Sequence, residues 1–342
     1  MKAILFYAPG DIRFEEIARP TAGSGEVVVE IKAALTCGTD LKTYRRGHPV
    51  LIKEIPSVFG HELAGVITEL GPGVESFAVG QRVVAANSAP CGRCFYCRRD
   101  RFSLCENLDL LNGAYAEYIA IPARIVAQNL LPIPDSVTFR QAAMVEPLAC
   151  TIHGIERSKI GLGDVVCIIG HGPIGLMMTR LAKLKGARVI LVGRNPFKLE
   201  KARLFGADEL VDVTAVSNPV EAVRDLTPSG RGVDVAIEAV GLTETWEQAI
   251  AMTRPGGVVN LFGGCKSGTH VKVDTRRLHY DELEIIAVFH HTPRYIRAAL
   301  SLIASGQIDA DALITHEMGL ERLEEALQRM AGGDTLKVAI TP

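Results

Sequence analysis

Four cysteines stand at Cys91, Cys94, Cys97 and Cys105 within the run PCGRCFYCRRDRFSLC. Four thiolates at this spacing can enclose one zinc tetrahedrally with no open position, which describes a structural metal site. Arg93, Arg98, Arg99 and Arg101 interleave with Phe95, Tyr96 and Phe102 in the same run, so a zinc ribbon that binds nucleic acid is the competing reading. The arginines are local, and the chain as a whole carries a net charge of −2, which favours a lobe stapled by metal. Two polar clusters precede this run, Cys37-Gly38-Thr39-Asp40-Leu41-Lys42 and Gly60-His61-Glu62. A soft thiolate and an imidazole are good zinc ligands, although taken alone Cys37 reads equally as a buried thiol and His61 as a hydrogen-bonded core histidine. Glu146 lies in the run Met144-Val145-Glu146-Pro147-Leu148-Ala149. A carboxylate in so apolar a setting is costly to bury unless it is paired or bound to metal, and the other reading is a helix-terminal glutamate facing water.

A second chemistry sits between Asp164 and Asn195. Val165 to Ile169 reads as a buried strand, Gly170-His171-Gly172-Pro173-Ile174-Gly175 as a tight turn, Ile174 to Lys185 as a helix that Gly186 caps, and Arg188 to Val192 as another buried strand. A GxGxxG run between a strand and a helix is the dinucleotide fingerprint. Its glycines allow the tight turn and the close approach of a pyrophosphate, which the helix N-terminus stabilises. Gly170, Gly172, Pro173, Ile174 and Gly175 are therefore candidate cofactor residues. Strands that select NAD end in Asp or Glu, whose carboxylate binds the ribose 2′-hydroxyl. Here that end reads Val192-Gly193-Arg194-Asn195. Gly193 leaves room for a 2′-phosphate, Arg194 and Lys198 can neutralise it, and Asn195 beside them is a further candidate cofactor residue. Charge-assisted hydrogen bonds of this kind are worth ~1.5–3 kcal/mol, so NADP is expected to be preferred over NAD by roughly ten- to a hundredfold. Asp234 to Gly241 and Gly257 to Gly264 read as strands ending in loops, where this fold places ligands, which adds Val240 and Phe262, with Phe289 further on, to the candidates.

The elements around these residues fall into two kinds. From Met1 to about Ala86, short alternating segments such as Gly25 to Ala33 and Gly65 to Leu70 are separated by Gly, Pro and Asp, which predicts a β-rich, barrel-like domain. Asn112 to Ile119 reads as a further strand. In the tail, Tyr295 to Ala304 and Leu320 to Met330 read as amphipathic helices and Leu336 to Ile340 as a closing strand. A length of 342 residues favours two domains, and 48% hydrophobic residues suit a large α/β core. The near-neutral charge gives no general attraction to nucleic acid or acidic membranes, and no run is apolar enough to span a bilayer. Pro9 and Gly10 stop the N-terminal run before it could serve as a signal peptide. Eight cysteines without an export signal point to metal or thiol chemistry, and the expected location is the cytoplasm.

In this order, Cys37-Gly-Thr-Asp, Gly60-His61-Glu62, the four-cysteine lobe, Glu146-Pro-Leu-Ala and the Gly170-to-Gly175 fingerprint resemble the zinc-dependent medium-chain alcohol dehydrogenase family over essentially the whole chain. The resemblance is closest to the sorbitol and threonine dehydrogenase branch, where a glutamate, here Glu146, stands in place of a second cysteine ligand. It implies an α/β protein: a β-rich GroES-like catalytic domain, residues 1–147 with the zinc lobe at 88–107, is completed by a return segment, 290–342. A doubly wound Rossmann domain, 148–289, is inserted, and the active site lies in the cleft. It implies a structural zinc in the lobe and a catalytic zinc on Cys37 and His61, with Glu62 or Glu146 as the further ligand. That zinc would act as a Lewis acid on a substrate hydroxyl. Thr39 would pass on its proton, and the cofactor would take the hydride. Lys42 stands where the relay residue is commonly histidine, and it reads equally as a solvated lysine. His290 stands where sorbitol dehydrogenases carry a substrate-contacting arginine. The expected activity is oxidation of a secondary alcohol or polyol with NADP, in a homodimer or homotetramer. The alternatives are an NAD-dependent amino-alcohol (threonine-type) dehydrogenase and a non-catalytic nucleotide-binding regulator.

Overall fold

Val27–Leu35 buries Val27, Val29, Ile31, Ala33 and Leu35 along one face and carries the Glu30–Lys32 pair on the other, and it organises the first unit of the fold. A computed structural model describes residues 1–342. The chain forms two units, Met1–Ala149 with His291–Pro342, and Cys150–His290. In the first, strands run in the order Leu130–Pro132, Arg82–Ala85, Leu63–Leu70, Val27–Leu35, Lys337–Thr341 and Ile314–Gly319, and Tyr118–Ile121 also pairs with Val27–Leu35. All of these pairings are antiparallel except the last two strands of the tail, which are parallel. The tail thus contributes a central strand, with Ala339 and Ile340 opposite Leu35 and Ala34. Phe59, Leu63, Ile67, Tyr115, Leu323 and Val338 meet in one buried core, so residues far apart in sequence share a single interior.

The run Asn112–Glu117 is not strand, which corrects the expectation for Asn112 to Ile119; regular pairing starts at Tyr118. The backbone there bonds instead to the loop before His61. Gly113 and Ala114 both donate to the Gly60 carbonyl, and Tyr115 donates to Phe59. This pulls the Tyr115 ring into the core. The last helix starts where the pattern suggests, with a 3-10 turn at Leu320–Arg322, becomes α-helical from Leu323 and runs two residues further, to Gly332.

The second unit is a six-stranded parallel sheet in the order Glu209–Asp212, Arg188–Gly193, Val165–Ile169, Val233–Glu238, Thr253–Leu261 and Glu284–Ala287. The order reverses direction from Val165–Ile169, the switch point at which a doubly wound sheet opens a crevice at its strand ends. Val166, Cys167, Ile168, Ile190 and Leu191 are fully buried, as parallel strands covered on both faces require. No helix is long and apolar enough to cross a membrane.

Candidate metal and cofactor sites

Cys37 is the N-cap of the helix Gly38–Arg46, and its Sγ accepts from Thr39 N at 3.5 Å. Asp40, three residues on, reaches back to Cys37 N at 2.8 Å, so a capping box fixes the thiol at the end of the strand Val27–Leu35. His61 and Glu62 follow the loop that Asn112–Tyr115 holds. The ligand atoms of Cys37, His61 and Glu62 lie within 4.8 Å of one another. Asp40 links the group. Its Oδ2 also accepts from Tyr115 Oη at 2.6 Å, and its Oδ1 lies 3.2 Å from His61 Nδ1. Burial disfavours a charged His61, but the negative charge of Asp40 and Cys37 outweighs it and holds the imidazole well above its ordinary pKa.

Lys337, from the closing strand, is buried here too and donates to Thr36 O at 2.9 Å, to Glu62 Oε1 at 2.7 Å and to Glu62 Oε2. Burial pushes Glu62 up, while the Glu62 charge holds the Lys337 ammonium up against its own burial. With three acceptors around Nζ the pair is ionic: Lys337 stays charged and Glu62 is its carboxylate. Glu146 is buried rather than facing water. It stands outside the Cys37–His61–Glu62 group, close enough for its charge to raise both Glu62 and Lys337. Asp40, Glu62, Glu146 and a thiol set against Lys337 and the His61 ring leave the group rich in anionic donors, which suits a bound cation. The residues present fit zinc.

Thr39 is half-buried on the first turn of the helix, with Lys42 exposed one turn on. Sequence reasoning missed Asp40, Tyr115 and Lys337. The signal for Lys337 was a lysine inside an otherwise apolar strand, Leu336-Lys337-Val338-Ala339-Ile340, which needs a buried partner.

The ligand atoms of Cys91, Cys94, Cys97 and Cys105 also lie within 4.8 Å of one another. Backbone N–H groups point at the sulfurs: Cys91 N to Cys105 Sγ at 3.1 Å, Asn107 N to the same sulfur at 3.4 Å, and Cys97 N to Cys94 Sγ at 3.5 Å. The N–H groups of Cys97 and Glu106 lower Cys94 to about 6, whereas burial raises Cys97 to about 12. The four sulfurs so arranged fit one closed tetrahedral metal.

In the second unit the Gly-rich loop leaves a cradle. A Cβ on Gly175 would lie 1.8 Å from Gly170 O, so helix and strand pack too closely for any side chain. Gly170 has φ +125°, open only to glycine. Gly172 is the N-cap of Pro173–Leu184 without a side-chain cap, and a Cβ there would meet nothing within 4 Å. Backbone donors face open space, which fits a pyrophosphate. Ile174 lies in the first turn of that helix. Val240 and Phe289 are exposed, and Phe262 packs against Gly154. His290, at φ +61°, accepts through its carbonyl from His153 Nδ1 at 2.8 Å.

At the end of Arg188–Gly193, Arg194 is exposed and Lys198 half-buried. Asn195 caps the following helix, its Oδ1 accepting from Lys198 N at 3.2 Å. The expectation that Gly193 leaves open space is corrected. Gly193 is buried beneath His171, and a Cβ on it would lie 2.6 Å from that ring.

Comparison with known proteins matches both units of the chain. Residues 23–135 match the alcohol dehydrogenase GroES-like domain, and residues 173–305 the zinc-binding dehydrogenase domain. The sorbitol dehydrogenase of Bacillus subtilis is 32% identical, covering 100% of this chain and 97% of its own. The L-threonine 3-dehydrogenase of Pyrococcus horikoshii is 33% identical, covering 99% and 97%. A zinc-binding dehydrogenase from Sinorhizobium meliloti, solved with NADP bound, superposes with a TM-score of 0.91 at 32% identity, covering 100% and 99%.

Proposed function

Because the chain belongs to the zinc-dependent medium-chain alcohol dehydrogenases, in the branch of the sorbitol and threonine dehydrogenases, we propose that this alcohol or polyol dehydrogenase interconverts a secondary alcohol of a polyol and its ketone with NADP. The observation that carries the catalytic reading is the buried group of Cys37, His61 and Glu62, framed by Asp40 and Lys337. A regulator that only bound nucleotide would have no use for so costly a cluster. Zinc held there supplies a Lewis acid that lowers the pKa of the substrate's hydroxyl.

The chain's own residues do the rest. Cys37 and His61 would hold the metal, and Asp40, with Oδ1 3.2 Å from His61 Nδ1, positions that ring. Glu62, spent on Lys337, is the buried counter-charge, which leaves Glu146 as the carboxylate for the open side. Thr39 Oγ1 would accept the substrate's proton as its own hydroxyl proton passes on to water, on the side of Lys42, which shares its helix face. Gly172, Pro173 and Ile174 hold the pyrophosphate, while Arg194 and Lys198 neutralise the 2′-phosphate at a strand end with no carboxylate. The S. meliloti structure, which holds NADP, supports that choice by likeness. The threonine dehydrogenase relatives support an amino-alcohol substrate as the second reading.

A panel of polyols, sugars, amino-alcohols and simple alcohols, followed by NADPH and NADH absorbance, tests both. The expected result is turnover on a vicinal polyol with the higher kcat/KM for NADP. Turnover on threonine with NAD alone would replace this reading by the second.

A further inference from the structure

We propose that His171 is a specificity-determining residue for the cofactor: its imidazole occupies the space over Gly193 that a carboxylate at that position would need, and it joins Arg194 and Lys198 in receiving a 2′-phosphate. The inference rests on the NADP reading above and adds to it a residue from the Gly-rich loop.

The packing is specific. A Cβ built on Gly193 would lie 2.6 Å from His171 Cγ, 2.7 Å from Nδ1 and 2.9 Å from His171 Cβ. Because the histidine's own Cβ is that close, no rotation of the ring clears the space, and the backbone would have to move. The missing carboxylate is therefore more than a missing charge. Its volume is taken, and a large residue at 171 goes with none at 193.

The charges around the ring come from every element packed on it. Arg194 follows the strand, Lys198 comes from the next helix, and Asp212 ends the neighbouring strand in register with Gly193. Asp212 turns its Oδ1 to Thr214 N and Oγ1, at 2.9 and 2.7 Å. Burial, Lys198 and Arg194 push His171 down to about 4, so at neutral pH the ring is uncharged and offers one N–H donor. A neutral donor beside two cations can bond a phosphate oxygen without adding to the repulsion among the cations.

The test is calorimetric binding of NADP, NAD, 2′,5′-ADP and 5′-AMP to the zinc-loaded enzyme, with melting temperatures for each variant. His171→Ala should weaken NADP and 2′,5′-ADP by about five- to tenfold, the loss of one hydrogen bond to a charged group, and leave NAD and 5′-AMP within about twofold. His171→Gln, which keeps bulk and a donor, should retain most of the preference. Gly193→Asp alone should lower the melting temperature, and adding His171→Gly, which removes the Cβ as well as the ring, should restore much of it and turn the preference toward NAD. An equal change for both cofactors in His171→Ala, or a Gly193→Asp variant of unchanged stability, would overturn the proposal. Arg194→Ala separates the two ideas. If it leaves the NADP-to-NAD ratio unchanged, the NADP reading fails and this inference with it. If it lowers the ratio while His171→Ala does not, the NADP reading stands and the inference alone is wrong.

Discussion

A lysine and a glutamate buried together are stable only while each keeps the other. Lys337 and Glu62 are both almost fully buried, and the carboxylate is bonded through both oxygens. Removing one partner leaves an uncompensated charge, which costs about 3–5 kcal/mol, whereas removing both with shape kept is far milder. Lys337→Met should therefore lower the melting temperature steeply, and Lys337→Met with Glu62→Gln should recover much of it; equal losses in the single and double variants would show that the pair is not coupled. Tyr115 makes a subtler contribution at the same scale. Its hydroxyl is one of the donors that fix Asp40, which in turn faces His61. Tyr115→Phe keeps the ring and its packing on Phe59. Outer partners of metal ligands are typically worth about 10–100-fold in metal affinity. Chelator competition should find one zinc released about tenfold more readily, with the other unaffected. Unchanged release of both would mean that Asp40 needs no help from Tyr115.

Among elements, the four-cysteine lobe was legible because its ligands are local. Cys91 to Cys105 close on themselves through their own backbone N–H groups, so spacing alone carries the geometry. The lobe has little regular structure, only short 3-10 turns at Cys97–Arg99 and Phe102–Leu104, so a metal held by its four thiols would take the place of a core in ordering it. Cys94→Ser should lose about one zinc per chain and a clear part of the thermal stability, while NADP binding persists. Full zinc content with an unchanged melting point would remove the lobe from the list of metal sites. Asn112–Glu117 shows where local reading fails. Its alternation of small and large residues resembles a strand, but its backbone bonds scatter to Phe59 and Gly60, and to Lys2, Ile4 and Ile31, all far earlier in the chain, and no local pattern points to them. In the Gly-rich loop the need for glycine at Gly170 and Gly175 was legible, because its causes are steric and near in sequence. The same loop's histidine was passed over, because its importance depends on a strand end that folding brings beneath it.

For the whole molecule, the order of motifs along the chain was enough to assign the two kinds of fold, since each motif needs a particular frame. The charge balance was not legible in the same way. Which acids and histidines shift depends on burial and on partners contributed by distant segments. His171 gives this a measurable consequence. Its folded pKa lies near 4, below the ordinary histidine value of 6.5, chiefly through burial and then through Lys198 and Arg194. Between pH 6.5 and 4 the unfolded chain binds a proton that the folded chain refuses, so stability falls as pH drops through that window and levels off below it. His48, lowered by burial and then by His61, acts in the same direction. The depressed carboxylate of Asp208 is favoured by Lys183 and Val189 N over the opposing effect of burial, and it stabilises the fold above the ordinary carboxylate pKa; that contribution is lost only at still lower pH. The two ranges can therefore be separated. Melting curves of the zinc-loaded, nucleotide-free enzyme from pH 7 to pH 4 should show His171→Gln losing less stability than the parent chain across the window, with the gap opening as pH falls. A constant gap would mean that the ring titrates alike in the folded and unfolded chains, and that the cations beside it do not reach it.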